Sequence, residues 1–126
     1  MTVIEQFNVK YDQGTPRGDY ISIPNIAIDI LKLPESGVYY YLLDLSTIEK
    51  ASLTDSILSK ICRMSLSKVR KSIKRLSLPR IELDGLSFIN VKNENCSKNT
   101  YSIEIVNIDV ANDIWCSNRK ASNEVH

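Results

Sequence analysis

The chain has 126 residues, of which 43% are hydrophobic and 25% charged, and its net charge is +1. These proportions are ordinary for one folded globular domain, and this net charge by itself indicates no partner. The first twenty residues lack the apolar core of a signal peptide, and no apolar run approaches the roughly 18 residues that span a bilayer, so we expect a cytoplasmic protein. Three widely spaced cysteines, Cys62, Cys96 and Cys116, predict free thiols and no metal site.

The N-terminal segment predicts a strand followed by a loop. Phe7, Val9 and Tyr11 alternate with polar residues, which favours a strand over Val3–Tyr11. Glycine and proline predict a loop over residues 12–18. We therefore expect an N-terminal arm over residues 1–19, ahead of a main domain over residues 20–108.

Two helices are predicted next. A short one starts at Pro24 and ends before Pro34, because its apolar residues repeat at helical spacing. The second, over residues 35–45, has one stripe of residues that we expect to be buried: Val38, Tyr41, Leu42 and Leu45. Tyr39, Tyr40 and Leu43 lie off this stripe. Either the first helix or the N-terminal strand covers them, or Tyr39, Tyr40 or the N-terminal strand forms a homodimer surface.

A helix, a tight turn and a second helix are predicted over residues 55–76. Thr54 is suited to cap the first helix, Asp55–Cys62, in which we expect Ile57, Leu58 and Ile61 to be buried. Ser65 is suited to cap the second, Leu66–Leu76.

The basic residues of the chain are concentrated in this region. Residues 60–80 carry eight of the 16 Lys and Arg side chains and no acidic one. On the second helix the apolar residues form one stripe: Leu66, Val69, Ile73 and Leu76. The opposite side has Ser67 and five cations: Lys68, Arg70, Lys71, Lys74 and Arg75. We expect this face to be free of carboxylates and to attract a polyanion.

The pattern changes from helical to extended after Pro79. Strands are predicted over 80–83 and 86–92, joined by the turn signal Asp84-Gly85, and another over 100–106. Residues 93–99 are polar and are predicted to form a turn. A last helical turn is predicted over 110–116, followed by a disordered tail, so that residues 109–126 form a C-terminal appendage.

Residues 58–76 resemble the helix-turn-helix of bacterial winged-helix proteins. Ser59 is the small residue inside the first helix, Met64 the hydrophobe in the turn and Ser65 the cap. Arg63 stands where the family often has glycine. Strands 86–92 and 100–106 correspond to the wing, so the resemblance covers about residues 20–106. The winged-helix proteins that this chain resembles are those of plasmid and phage replication initiators and small transcriptional regulators.

The resemblance implies an α+β winged helix-turn-helix of three to four helices plus a small antiparallel β-sheet with a β-hairpin wing. It implies sequence-specific binding of double-stranded DNA, with helix 66–76 in the major groove and wing 92–99 on the backbone or in the minor groove. Candidate base contacts are Ser65, Ser67, Lys68 and Lys71. Candidate phosphate contacts are Arg70, Lys74, Arg75 and Thr54 with its helix N-terminus. Candidate wing contacts are Lys92, Asn93, Asn95, Lys98 and Asn99.

Three roles stay open at this stage. We expect a transcriptional regulator. The alternatives are a plasmid or phage replication or DNA-transfer accessory protein, and a winged-helix module that binds another protein. An enzyme, a cofactor and a small-molecule ligand are not expected. The one histidine is His126 at the end of the chain, and the four glycines are scattered.

Overall fold

The computed structural model describes residues 5–11, 23–46, 51–95 and 99–124. These residues form a mixed α+β fold. In chain order the elements are β1 (Gln6–Tyr11), α1 (Asn25–Ile30), α2 (Glu35–Leu45), β2 (Ala51–Thr54), α3 (Asp55–Cys62), α4 (Leu66–Leu76), a 3-10 helix (Ile81–Leu83), β3 (Ile89–Asn95), β4 (Thr100–Ile105) and α5 (Asp109–Glu124). No helix in this described part is long and apolar enough to cross a membrane.

The four strands form one mixed sheet in the order β2-β1-β4-β3. Strand β1 runs antiparallel to β2 and parallel to β4, and β3 pairs antiparallel with β4. The expectation of a purely antiparallel sheet is therefore wrong. Strand β1 is an interior strand rather than part of a separate arm, and Phe7 and Val9 on it are buried. Because both of its edges are paired, the N-terminal strand is not free to pair with a second copy.

Helix α2 has the predicted bounds, but its buried side is shifted from the predicted stripe. Val38 and Leu42 are buried as expected, whereas Tyr41 and Leu45 are only partly buried, and Tyr39 and Leu43 are buried instead. The Tyr39 ring packs edge-on against Phe88, with 5.0 Å between ring centroids. The prediction of a dimer surface at Tyr39 is therefore wrong, because the chain's own core covers this side chain. Tyr40 is half-buried against the same core.

Helices α3 and α4 begin and end where the sequence predicts. The Thr54 hydroxyl accepts a hydrogen bond from the Ile57 amide, and the Ser65 hydroxyl accepts one from the Lys68 amide at 3.2 Å. Both caps are confirmed. In α3 only Leu58 of the three predicted core residues is fully buried, since Ile57 and Ile61 are close to half exposed. Helix α3 therefore packs along a narrower stripe than its sequence indicates.

The turn between α3 and α4 is a Schellman motif with Arg63 in the left-handed conformation, at φ 53° and ψ 47°. The Met64 amide donates to the Ser59 carbonyl and the Arg63 amide to the Lys60 carbonyl. The Ser59 hydroxyl donates to the Met64 carbonyl, which ties the turn back to α3. An arginine thus occupies the position at which glycine has no steric penalty.

Replacing Arg63 with glycine should stabilise the protein. The Cβ atom at φ 53° is strained, and its removal should raise the free energy of unfolding by about 0.5–1 kcal/mol after the entropic cost of glycine. Urea unfolding of the wild type, Arg63→Gly and Arg63→Ala measures this. Arg63→Ala removes the charge but keeps the Cβ, so equal stability of the two variants would contradict the explanation.

The C-terminal half departs from the prediction at three places. Residues 81–83 form a 3-10 helix, not a strand, and Asp84 and Gly85 form a tight left-handed turn at φ 56° and 88°, not a hairpin. Strand β3 starts later than expected and runs to Asn95, with a bulge near residue 94. Helix α5 has 16 residues where a single turn was expected.

Helix α5 is long because it packs against α1. The Asn112 side chain accepts a hydrogen bond from the Ile26 amide and so caps α1. Trp115 and Arg119 both donate to the Asp29 carboxylate, at 2.7 and 2.8 Å. Contacts between residues about 86–90 positions apart hold this helix, and no local pattern predicts them.

Candidate nucleic-acid interface

The surface formed by α4 and the turn before it is the most basic one that the structure describes. On α4, Val69, Ile73 and Leu76 are buried and face the core, as predicted. At 100° per residue, the opposite arc is centred on Lys71. The exposed residues of that arc are Ser67, Lys68, Lys71, Lys74 and Arg75. The apolar and basic residues of the helix are therefore on opposite sides.

Arg70 does not belong to this exposed arc. Its Nε and Nη2 atoms donate to the Asp55 carboxylate at 2.9 and 2.7 Å, and Glu5 lies 3.9 Å away. Asp55 is fully buried. The hydrogen bond to Asp55 is the main cause that raises the pKa of the Arg70 guanidinium. Arg70 neutralises an internal carboxylate, so its charge is not free like that of the lysines, and its contact with a phosphate stays a prediction.

Arg75 is exposed but also paired. Its Nη1 atom donates to the Glu35 carboxylate at 2.8 Å, which joins α4 to the start of α2. The prediction that all five cations on this face are unpaired is therefore wrong for Arg70 and Arg75. The sequence could not show this, because the carboxylates come from residues 15 and 40 positions away along the chain.

The lysines of α4 differ from the arginines. Across the described ranges, no carboxylate lies within ion-pair distance of Lys68, Lys71 or Lys74. The same is true of Lys60, near the end of α3, and of Arg63 in the turn. The last two belong to the basic run 60–80, but no pattern along the chain singled them out as contacts. Lys60, Arg63, Lys68, Lys71 and Lys74, which have no ion-pair partner among the described residues, thus lie along one continuous piece of chain.

The lysine positions are unfavourable for the stability of α4. Lys68 lies in the first helical turn, where the positive end of the helix dipole disfavours a cation, and no acidic residue lies in this turn. Lys71 has Lys68 and Lys74 three residues away on the same face, and like charges at this spacing repel each other. Only Lys74, in the last turn, is favoured by the dipole. A bound polyanion would remove this repulsion.

The N-terminus of α3 has little capacity to bind a phosphate. The Asp55 amide donates to the Glu5 carbonyl, and the Ile57 amide donates to Thr54, so two of the three first amides are already used. The Asp55 carboxylate, which is paired with Arg70, also lies at this helix end and presents a hydrogen-bond acceptor where a phosphate needs a donor. Thr54 is a helix cap in this structure, and its prediction as a phosphate contact has no support from the geometry.

The predicted wing residues lie on the hairpin of β3 and β4. Lys92 and Asn93 are exposed, and Lys92 is paired in register with Ser102. Glu94 accepts a hydrogen bond from Asn8 at 2.9 Å, so the hairpin carries a carboxylate as well as Lys92. Asn95 is the last residue of β3, and Asn99 is left-handed. Lys98 lies outside the described residues. The hairpin is therefore less basic than α4.

The Glu35–Arg75 pair predicts a pH dependence of stability. Burial raises the pKa of Glu35, but the hydrogen bond from Arg75, a backbone hydrogen bond and the charges of Arg75 and Arg80 together outweigh burial, so the net pKa is below its usual value. A carboxyl group whose pKa is lower in the folded than in the unfolded state stabilises the protein at pH values above its unfolded pKa of about 4.3. This contribution is lost as the pH falls through the pKa of the folded state.

Glu35→Gln should therefore be less stable than the wild type at neutral pH, and the difference should shrink in acid. Urea unfolding at about pH 7 and about pH 3 measures it. Arg75→Gln should behave in the same way. A difference between the wild type and Glu35→Gln that grows in acid would contradict the assignment.

Comparisons with known proteins found no matching family model, no matching curated protein and no matching solved structure. Within the described residues, no group of three or more His, Cys, Asp or Glu side chains could hold a metal ion. Cys62 and Cys116 are free thiols, and burial raises the pKa of Cys62. Of the predicted site residues, the structure brings together Ser65, Ser67, Lys68, Lys71 and Lys74.

Proposed function

We propose that this protein is a winged helix-turn-helix protein that binds double-stranded DNA, with α4 in the major groove. One observation carries the proposal: α4 exposes Lys68, Lys71 and Lys74 without a carboxylate partner in the described chain, while its two arginines are used internally. The succession of α3, turn, α4 and the hairpin β3–β4 agrees with the resemblance seen in the sequence.

Each exposed residue of α4 then has a role set by its place on the helix. Ser67 and Lys71 are one helical turn apart at the centre of the exposed arc, so they would be closest to the base edges. Lys68 and Lys74 lie to either side and would contact phosphates. Lys60 and Arg63 precede the helix and would contact the backbone that borders the groove.

Within DNA binding, a transcriptional regulator is the role we propose. This role requires preference for a particular sequence, which the exposed Ser67 and Lys71 would supply. A protein-binding winged helix is less well supported, because Tyr39, the aromatic residue it would have used, is buried. Lysine is also depleted in the cores of protein interfaces.

Fluorescence anisotropy with a labelled random duplex tests DNA binding, and selection from a random library tests sequence preference. If about four to five phosphates are neutralised, the logarithm of the binding constant should fall with the logarithm of salt concentration at a slope of about −4. No binding at low salt, or binding with a slope near zero, would refute the proposal.

A further inference from the structure

The structure has an apolar groove on the side where α1, the end of α4 and the 3-10 helix meet. Its volume is about 660 Å³, and its walls include Leu33, Leu78, Pro79 and Ile81. Leu33 is 81% exposed and Ile81 is 95% exposed. Aliphatic side chains this exposed and this close together are typical of a surface that another protein covers.

A second apolar surface lies on α5. This helix turns Ala111 and Trp115 toward the core and leaves Val110 and Ile114 exposed, at 75% and 55%. The two are one helical turn apart and form a short stripe. Helix α5 packs against the 3-10 helix that carries Ile81, so the stripe and the groove belong to neighbouring elements of the fold.

The charges around the two surfaces are complementary. The groove is bordered by Lys32, Arg75 and Arg80, of which the two arginines are paired with Glu35 and Glu82, so its rim keeps one net positive charge. The α5 stripe is flanked by Asp109 and Asp113, and in the described chain neither has an ion-pair partner. The stripe is therefore flanked by two negative charges, and the groove has a rim with one net positive charge.

We propose that two copies of this chain associate reciprocally, with the α5 stripe of each copy in the groove of the other. A two-fold interface requires a surface that is complementary to itself, and a groove and a stripe of opposite charge on neighbouring elements can supply one. The polar rim and apolar centre are those of an ordinary protein interface. The interface leaves the lysines of α4 exposed and does not depend on whether they bind DNA.

Sedimentation equilibrium of the full chain without DNA tests this. We expect the wild type to dimerise, and Ile81→Asp and Ile114→Asp each to weaken association at least about tenfold. Both side chains are exposed, so the substitutions should leave the circular dichroism spectrum unchanged. Ile57→Asp changes a comparably exposed residue on α3 and should dimerise like the wild type, as should Lys71→Glu.

Mixing the two variants distinguishes a reciprocal interface from other contacts. Each variant alone forms a dimer with no intact contact between groove and stripe. An equimolar mixture allows a heterodimer with one intact contact, from the groove of Ile114→Asp and the stripe of Ile81→Asp. The mixture should therefore associate more tightly than either variant. A monomeric wild type, an unaffected Ile114→Asp, or a mixture no tighter than its components would overturn the proposal.

Discussion

Lys71→Glu should weaken binding to duplex DNA about 100-fold, equivalent to about 2.7 kcal/mol, while the protein stays folded. Lys71 is at the centre of the exposed arc of α4 and has no ion-pair partner in the described chain, so its substitution removes no internal contact. The glutamate would remove one favourable contact and add repulsion from the phosphates. Fluorescence anisotropy at fixed low salt measures the loss, and circular dichroism checks the fold.

Lys10→Glu is the control for this variant. It makes the same change of charge on β1, where Lys10 alternates with the buried Val9 and so points away from the core. Lys10 lies 3.7 Å from Glu104 in a surface ion pair whose loss costs little stability, and circular dichroism checks the fold of this variant as well. We expect its affinity to stay within about twofold of the wild type. If Lys71→Glu and Lys10→Glu weaken binding equally, the effect reflects net charge and the α4 face is not the binding surface.

Arg70→Ala should affect stability rather than DNA binding. It should destabilise the protein by about 3 kcal/mol. It removes the partner of Asp55, which is fully buried, and the loss of one member of a buried pair leaves an uncompensated charge. One oxygen of Asp55 has no hydrogen-bond partner even with Arg70 present. No other described donor is therefore close enough to take the place of Arg70. Thermal unfolding should show a fall in Tm of roughly 10 °C.

A double substitution separates charge burial from packing. Asp55→Leu together with Arg70→Met replaces the pair with apolar side chains and should be more stable than Arg70→Ala alone, because no charge is left buried.

Below its Tm, Arg70→Ala should bind DNA with nearly the affinity of the wild type. Wild-type stability combined with a large loss of DNA affinity would restore Arg70 as a DNA contact.

Residues 70 and 71 are neighbours in one basic run, yet the structure assigns them different roles. Arginine has a planar group that donates two hydrogen bonds to one carboxylate, which suits it to a buried partner such as Asp55. Lysine is more strongly hydrated and stays at the surface. On α4 the arginines therefore hold the helix to the rest of the fold, and the lysines supply its exposed charge.

The sequence by itself determined the central part of this protein. The bounds of α2, α3 and α4, the caps at Thr54 and Ser65, and the separation of apolar from basic residues on α4 were all predicted correctly. Each depends on side chains within about one or two helical turns of each other. Local periodicity and capping are sufficient to specify such features.

Tertiary structure alone decided the features that depend on distant residues. It placed β1 between β2 and β4, paired Arg70 with Asp55 and Arg75 with Glu35, and extended α5 along α1. It also left the groove beside Ile81 uncovered. The partners in these contacts are separated by 15 to more than 80 positions in the chain. Only the folded chain brings them together, so a pattern read along the sequence does not contain them.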